Sequence, residues 1–432
     1  MFPSVPIIVV GYNRPKAIER LLKSLLKASY HGSVDLIISI DGGRGNEGRN
    51  GEKEKRGEEV IKVVKNFEWP FGEKKMIFHD TNMGLRNHVL SCGDLSKEYD
   101  GVIVLEDDLY VSPVFYQYTL QAFDYYKDDP KIAGISLYSH AYNETAQFPF
   151  RPLTDGSDVF FLQYAASLGQ FWSRKNWSTF REWYGALKPG DKSPGHSPWD
   201  ESPGKSLPAN IRLWPETSWK KYFISYIVQH DLYFVYPRYS LTTNFGDAGT
   251  NLRISENLFQ VPLWLEKQKF QFKSFDESFA VYDVFCEMNA GRLKRMAPFL
   301  SEFDFEVDLY GMKSGEHSDK EMFLSSRKCS KPYRTFGREM KPHEMNILAD
   351  ISGDYFSQGA KKDFEEKNYF LKLLKCHEKK ELAYWYTIRE YHFYKNRLLT
   401  TGKASRFYID PGFLFRKILT MVNYTMRYFG KR

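Results

Sequence analysis

The chain has 432 residues, 42% of them hydrophobic and 17% aromatic, and it carries a formal net charge of +7. This length exceeds that of a typical single domain, so we expect two domains or one domain with a large extension. The small basic excess favours an anionic partner, and because no zinc-finger or other nucleic-acid motif occurs, we expect that partner not to be a nucleic acid.

The cysteines are widely scattered and include no CxxC pair, which argues against both a zinc site and a disulfide framework. Reduced thiols therefore favour a cytoplasmic compartment. The first residues, MFPSVPIIVVGYNRP, lack the basic region of a signal peptide. We also expect no membrane-spanning helix, because no uncharged apolar stretch reaches about 18 residues.

Predicted strands and helices alternate through the first 130 residues. The strands cover 5–12, 35–43, 74–80 and 101–108, and the helices follow Pro15 or lie within 58–67, 82–99 and 113–127. The first, second and fourth strands are continuous apolar runs, as expected where helices cover both faces of a sheet. The alternation predicts an α/β fold with a mainly parallel sheet.

Polar residues follow these strands at the carboxyl edge of the predicted sheet, where ligands bind in such folds. They are Arg14, Asp41, His79, Asp80 and three consecutive acids, Glu106, Asp107 and Asp108. Adjacent carboxylates repel one another and resist desolvation, so this acid triplet needs an explanation. Either the strand reaches the surface and its acids cap the next helix, or a divalent cation binds them, since hard cations prefer oxygen ligands.

The rest of the chain is less regular. Residues 131–255 are richer in Trp, Gly and Pro, and the stretch 185–213 has the composition of a loop, which predicts a lid or an insertion without regular structure. From about 256 onward, polar loops lead into a long amphipathic and aromatic region. We expect residues 256–432 to form a mostly helical extension.

Several motifs occur in the order found in the GT-A glycosyltransferases. They are YNRP (12–15), IDGG (40–43), NMGLRNHV (82–89), VLEDDL (104–109), YAASLGQFWSRKNW (164–177), WPETSW (214–219) and YPRYSLTTNFGDAGTN (236–251). The sequence resembles N-acetylglucosaminyltransferase I and bacterial glycosyltransferases of the family-2 type over about residues 5–255. The resemblance implies a Rossmann-like, nucleotide-sugar-binding GT-A domain at 1–255, with a donor half at about 1–130 and an acceptor half at about 131–255.

The resemblance also implies roles for the polar residues at the sheet edge. In that family the last acid of such a triplet coordinates Mn²⁺ or Mg²⁺ on the nucleotide-sugar diphosphate, which makes Asp108 the expected metal ligand. Asp107 would bind the ribose or a metal-bound water, and Glu106 would orient sugar or acceptor hydroxyls. Arg14 and Asp41 would contact the base and phosphate side of the nucleotide. The alternatives are that Arg14 is an ordinary surface arginine and that Asp41 caps a turn.

Two further residues join the expected nucleotide-binding set. Arg86, together with His88, either faces the same cleft or lies on a solvated face of its helix. Gly169 either lets the backbone approach the donor sugar closely or forms a tight structural turn.

The catalytic base departs from the family pattern. In N-acetylglucosaminyltransferase I, the segment after the Trp-Pro motif carries an acidic pair, one member of which is the proposed base. Here Lys220 and Lys221 occupy those positions, and a lysine does not ordinarily deprotonate a sugar hydroxyl at neutral pH. Glu216 is the best substitute. The other candidates are Asp200, Glu201, Asp231 and Asp247.

We therefore expect a metal-dependent glycosyltransferase that moves a sugar from a nucleotide sugar to a glycan or lipid-linked glycan in surface polysaccharide synthesis. The donor would be a UDP-sugar such as UDP-GlcNAc, and the reaction a direct displacement assisted by a carboxylate base. Two alternatives stay open. A sugar-1-phosphate nucleotidyltransferase would normally show a Gly-rich N-terminal loop with a lysine, which VVGYNRP lacks, whereas a non-catalytic glycan- or nucleotide-binding protein would explain Lys220 and Lys221.

The last residues, 411–432, mix aromatic and apolar side chains with basic ones, and 381–399 has a similar character. Such a mixture suits a helix that lies in the headgroup region of an anionic bilayer. We expect peripheral attachment to the cytoplasmic face of the cell membrane through this tail. The alternative is that both helices pack on the catalytic domain.

Overall fold

The computed structural model describes residues 3–42, 51–146, 148–187, 207–247, 259–313 and 315–366. Its strands are β1 (Ile7–Gly11), β2 (Leu36–Ile40), β3 (Lys74–Phe78), β4 (Gly101–Glu106), β5 (Leu109–Val111), β6 (Ile132–Ser136), β7 (Tyr142–Asn143), β8 (Phe148–Pro149), β9 (Val159–Leu162), β10 (Gln170–Ser173), β11 (Tyr233–Pro237), β12 (Thr242–Asn244), β13 (Val281–Tyr282), β14 (Phe305–Asp308), β15 (Met322–Ser325), β16 (Pro332–Phe336) and β17 (Phe356–Ala360). Its α-helices are α1 (Pro15–Leu25), α2 (Gly51–Asn66), α3 (Gly84–Asp94), α4 (Phe115–Tyr126), α5 (Arg174–Ala186), α6 (Ala209–Arg212), α7 (Trp219–Gln229), α8 (Ala290–Met296) and α9 (Glu344–Leu348).

A nine-stranded sheet organises the fold, with the strand order β13-β9-β11-β6-β10-β4-β1-β2-β3. Strands β4, β1, β2 and β3 run parallel to one another, while β10 is antiparallel to both β4 and β6. The expected α/β fold with a mainly parallel sheet is confirmed. Because β1, β2 and β4 are parallel, the residues that follow them meet at one edge of the sheet.

Both faces of the sheet are covered, and the apolar runs of the sequence explain why. In β1, Ile7 and Val9 pack with Leu21 of α1 on one face, whereas Ile8 and Val10 join Val89 of α3 on the other. Successive residues of a strand point to opposite faces, so a strand between two helical layers must be apolar throughout. All five residues of β1 are buried.

The helices of the first half lie close to their predicted positions. Pro15 occupies the first turn of α1, where its missing N–H costs nothing. Helix α2 begins at Gly51, before the predicted start at 58. The sequence did not predict this first part of the helix, because residues 51–57 are mostly charged and show no apolar period. Of the predicted lid at 185–213, residues 188–206 lie outside the described part of the chain, and α6 falls within its C-terminal end.

The extension was predicted to be mostly helical, but its described residues, 259–313 and 315–366, are not. A four-stranded sheet with the order β14-β15-β17-β16 occupies much of 305–360, and the helices α8 and α9 are short. These strands have only four or five residues each, too few to give a clear period-two signal among polar neighbours. The predicted helices at 381–399 and 411–432 lie outside the described residues, and none of the described helices is long and apolar enough to cross a membrane.

Candidate active site

The acid triplet lies where β4 ends beside β1. Val10 of β1 is paired with Glu106, so the next two acids emerge next to the end of β1. Asp107 and Asp108 are both buried. Strand β5 follows directly and pairs with β12, and the backbone N–H of Phe245 donates to the carbonyl oxygen of Asp108 at 3.0 Å. A segment from far along the chain therefore covers the triplet.

Arg14 supplies positive charge to this triplet. One guanidinium nitrogen, Nη1, donates to Oδ2 of Asp108 at 2.8 Å, and Nη2 donates to Oδ1 of Asp107. Burial by itself lowers the pKa of Arg14, but the two carboxylates outweigh it and raise the pKa above its ordinary value. Arg14 is therefore a fixed cation bound to two acids, and its expected contact with the nucleotide stays a prediction.

One arginine does not fully compensate the three acids, of which Asp107 and Asp108 are buried and Glu106 is partly buried. Burial, reinforced by the charge of Asp108, raises the pKa of Glu106 to about 8, although Arg14 acts in the opposite direction. Burial likewise raises the pKa of Asp107 to about 6, again opposed by Arg14. Even with Arg14 and Lys220 nearby, Glu106 favours its protonated form at neutral pH. A further positive charge would be needed to ionise the whole triplet.

The triplet fits a divalent cation that substrate oxygens complete. Oδ1 of Asp108 is buried and has no hydrogen-bond partner, which leaves one hard oxygen ligand available. Mg²⁺ is commonly held by one or two carboxylates together with water and substrate phosphates. Within the described part of the chain, no group of three or more His, Cys, Asp or Glu residues could hold a metal ion without substrate.

Asp41 ties the end of β2 to the start of α3. Its Oδ1 accepts hydrogen bonds from the backbone N–H groups of Gly42 and Met83, at 2.9 and 2.8 Å, and its Oδ2 accepts one from Gly84 at 3.2 Å. These bonds match the alternative that Asp41 caps a turn. A contact between Asp41 and the nucleotide stays a prediction.

Arg86 and Glu216 lie next to each other. Nη1 of Arg86, in the first turn of α3, donates to the backbone carbonyl of Glu216 at 2.6 Å, and its guanidinium lies 5.6 Å from the ring centre of Tyr222. The Oε1 atom of Glu216 is buried without a hydrogen-bond partner. The pKa of Glu106, by comparison, is shifted by the charges of Asp108, Arg14, Asp107 and Lys220.

Gly169 is required by the local backbone. Its φ of +99° is a conformation that side chains disfavour, and an added Cβ would lie 2.8 Å from Cγ2 of Thr242 in β12. The same Cβ would lie 3.4 Å from Leu105 of β4, so Gly169 is close to the strand that carries the triplet. Its approach to a donor sugar stays a prediction.

The two lysines at the start of α7 have different surroundings. Nζ of Lys221 donates to the carbonyl of Arg212 at 2.7 Å, so Lys221 helps to close the end of α6. Lys220 turns inward, and its Nζ lies 3.9 Å from Oε1 of Glu144. Burial lowers the pKa of Lys220, while the charges of Glu144 and Glu106 oppose this effect. Glu144 belongs to no motif, and no pattern in the sequence points to it.

The remaining candidate bases are separated from the triplet or outside the described residues. Asp231 accepts a hydrogen bond from Nζ of Lys131 at 2.6 Å, and Lys131 precedes β6, which places this acid at the opposite edge of the sheet. Asp247 pairs with Arg20. Asp200 and Glu201 lie outside the described residues.

Residues 1–184 match the GNT-I family. No curated protein matches the chain. Among solved structures, the chain is similar to the crystal structure of S. aureus TarS 1–349, with 12% identity, a TM-score of 0.32, and coverage of 55% of this chain and 59% of that chain. The chain thus spans less than two thirds of that structure. Over its first 184 residues the chain resembles the GNT-I family, and together with the mainly parallel α/β sheet this resemblance supports a glycosyltransferase of the GT-A type.

Proposed function

We propose that the chain is a metal-dependent glycosyltransferase that moves a sugar from a UDP-sugar, such as UDP-GlcNAc, to a glycan or lipid-linked glycan in surface polysaccharide synthesis. The match to the GNT-I family, whose members depend on Mn²⁺, supports this proposal. The observation that carries it is the acid triplet at the carboxyl edge, with its partnerless Asp108 oxygen beside the cation of Arg14.

In this proposal the residues of the edge act on the donor. Asp108 holds Mn²⁺ or Mg²⁺, which when bound supplies positive charge close to the departing diphosphate. Arg14 adds a second positive charge at the start of α1, where a helix favours an anion. Asp107 and Glu106 accept hydrogen bonds from the ribose and from sugar or acceptor hydroxyls. Arg86 and Gly169 border the same donor cleft.

A second candidate is a binding protein that keeps the fold without catalysis. The observation that favours it is Lys220, a largely enclosed lysine at the position where N-acetylglucosaminyltransferase I has an acid. A nucleotidyltransferase remains a weaker alternative, because the loop after β1 has no glycine-rich segment.

UDP release from a panel of UDP-sugars in the presence of Mn²⁺ separates these candidates. A transferase releases UDP and binds it more tightly with Mn²⁺ than without, whereas a binding protein shows only the second effect. A failure of calorimetry to detect any Mn²⁺-dependent binding of UDP would overturn the proposed function.

We also propose that residues 411–432 attach the protein to the cytoplasmic face of the membrane. Support comes from the sequence, in which aromatic side chains alternate with Arg416, Lys417, Arg427, Lys431 and Arg432. Each basic residue near an anionic surface contributes about 1 kcal/mol, so several give reversible, salt-sensitive binding.

A further inference from the structure

A transfer to a hydroxyl group needs a proton acceptor, and the start of α7 does not provide one. Lys220 and Lys221 occupy its first turn, where no acid is present. Among the described acids that the sequence suggested, Asp231 lies at the far edge, Asp247 is paired with Arg20, and Glu216 borders Arg86. Arg86 contacts only the backbone carbonyl of Glu216, so Glu216 and a carboxylate from another element are the remaining candidates.

Lys220 is held in a costly position. A positive charge is unfavourable at a helix N-terminus and again in a buried site. Only 12% of its side chain is exposed, and Nζ lies 4.3 and 5.2 Å from the ring centres of Tyr164 and Trp214. The carboxylate of Glu144, 3.9 Å away, offsets this charge. The pair is thus partly enclosed by the protein and is not a fully exposed surface contact.

Glu144 is presented by a rigid turn. Oδ1 of Asn143 accepts hydrogen bonds from the backbone N–H groups of Thr145 and Ala146, both at 3.0 Å, and Nδ2 of Asn143 donates to the carbonyl of Phe285 at 2.9 Å. About a quarter of the Glu144 side chain (24%) remains exposed. A carboxylate that is both held in place and reachable from solvent is suited to contact a substrate.

Glu144 also lies on the same side of the sheet as the acid triplet. It follows β6, which runs parallel to β4 because β10 lies between them antiparallel to both. Residues beyond the carboxyl ends of β6 and β4 therefore share one edge. The charges of Glu144 and Glu106 both oppose the lowering of the Lys220 pKa by burial, so the Lys220 ammonium lies within electrostatic range of both carboxylates.

We propose that Glu144 is the general base of the transfer and that Lys220 is a positioning residue that holds its carboxylate. This assignment rests on the proposed function. The carboxylate of Glu144 takes the proton of the acceptor hydroxyl while that oxygen forms a bond to the anomeric carbon of the donor. The bond from this carbon to the diphosphate oxygen breaks, and its electron pair leaves with the nucleoside diphosphate.

The test compares E144Q, E144A and E216Q with wild type, and uses D231N as the control because Asp231 lies at the opposite edge. UDP release is measured with UDP-GlcNAc, UDP-glucose and UDP-galactose plus Mn²⁺, and UDP binding is measured by calorimetry. We expect E144Q to bind UDP as wild type does and to lose about 100-fold or more of the release rate, as for other general bases. Formate should partly restore E144A, since it supplies the missing carboxylate.

Lys220 is tested by K220M and K220R. We expect K220M to slow release with unchanged UDP binding and K220R to recover most of the rate, because arginine keeps the charge beside Glu144. A rate in E144Q equal to wild type, or a loss in E216Q alone, would overturn the assignment and leave the proposed function intact. Absence of Mn²⁺-dependent UDP binding or of UDP release in wild type would overturn both.

Discussion

Replacing Arg14 with glutamine removes the cation that is bonded to both Asp107 and Asp108. The two acids are buried, and only 23% of the Arg14 side chain is exposed. Removing one partner of a buried ion pair costs about 3–5 kcal/mol, and the partial exposure of Arg14 favours the lower end, about 3 kcal/mol at pH 8. We therefore expect R14Q to be folded but clearly less stable than wild type.

The loss of stability caused by R14Q should grow as the pH rises. The pKa of Asp107 (about 6) and that of Glu106 (about 8) exceed the pKa values of carboxyls in an unfolded chain. At a pH between the unfolded and the folded pKa values, the folded protein therefore binds more protons than the unfolded chain. These groups therefore favour folding at low pH, and that contribution is lost as the pH rises through their folded pKa values. Without Arg14 both values rise further, so R14Q should lose only about 1 kcal/mol near pH 4.5.

Urea unfolding at pH 4.5, 6 and 8 measures this dependence. The matched control is K23Q, since Lys23 pairs with Glu19 on an exposed helix face and should show no change at any pH. Equal losses for R14Q at pH 4.5 and pH 8 would refute the reasoning, because they would mean that Arg14 stabilises the fold through packing and not through charge.

Three further predictions concern other parts of the chain. D108A should abolish Mn²⁺-dependent binding of UDP and leave the circular dichroism spectrum unchanged, and unchanged affinity in calorimetry would contradict a metal role. G169A should lower the free energy of unfolding by about 1–3 kcal/mol, because residue 169 has a positive φ. The double variant G169A/T242A should recover only the part of this loss that comes from the clash of the new Cβ with Thr242. Wild-type stability of G169A in urea would contradict this. Deleting 411–432 should reduce flotation with anionic liposomes at low salt, and equal flotation of both proteins would argue against the tail.

The carboxyl edge of β1, β2 and β4 was predictable from the sequence because these strands are continuous apolar runs. Strands β1, β2 and β4 are buried along almost their whole length, so continuous apolar runs marked them and polar residues marked their ends. Parallel pairing then required these ends to meet. The pairing of Arg14 with Asp108 was not predictable, since it depends on β4 lying next to β1 rather than on any local pattern.

The segment that carries Glu144 gave no such signal. Glu144 lies in the turn between β7 and β8, which have only two residues each. Its proximity to Lys220 depends on the strand order β6-β10-β4, in which β10 inserts between two strands that precede it in the sequence. The lysines of α7 did signal that the acid expected there from the resemblance is absent. They could not indicate which carboxylate lies opposite, because that is decided by contacts between residues about 76 positions apart.

The place of β10 in the sheet has a consequence for how the protein is made. Strands β1 to β4 and the polar residues that follow them lie before residue 130, yet β4 is paired on its far side with Gln170–Ser173, and the next strand, β5, is paired with Thr242–Asn244. A nascent chain that ended at residue 130 would expose the backbone donors and acceptors of β4, which is apolar up to Glu106, as an open edge. Such edges recruit other chains. Residues 1–130 therefore do not form a separable unit, and during synthesis the acid triplet reaches its final surroundings only after the strands β10 and β12 have left the ribosome.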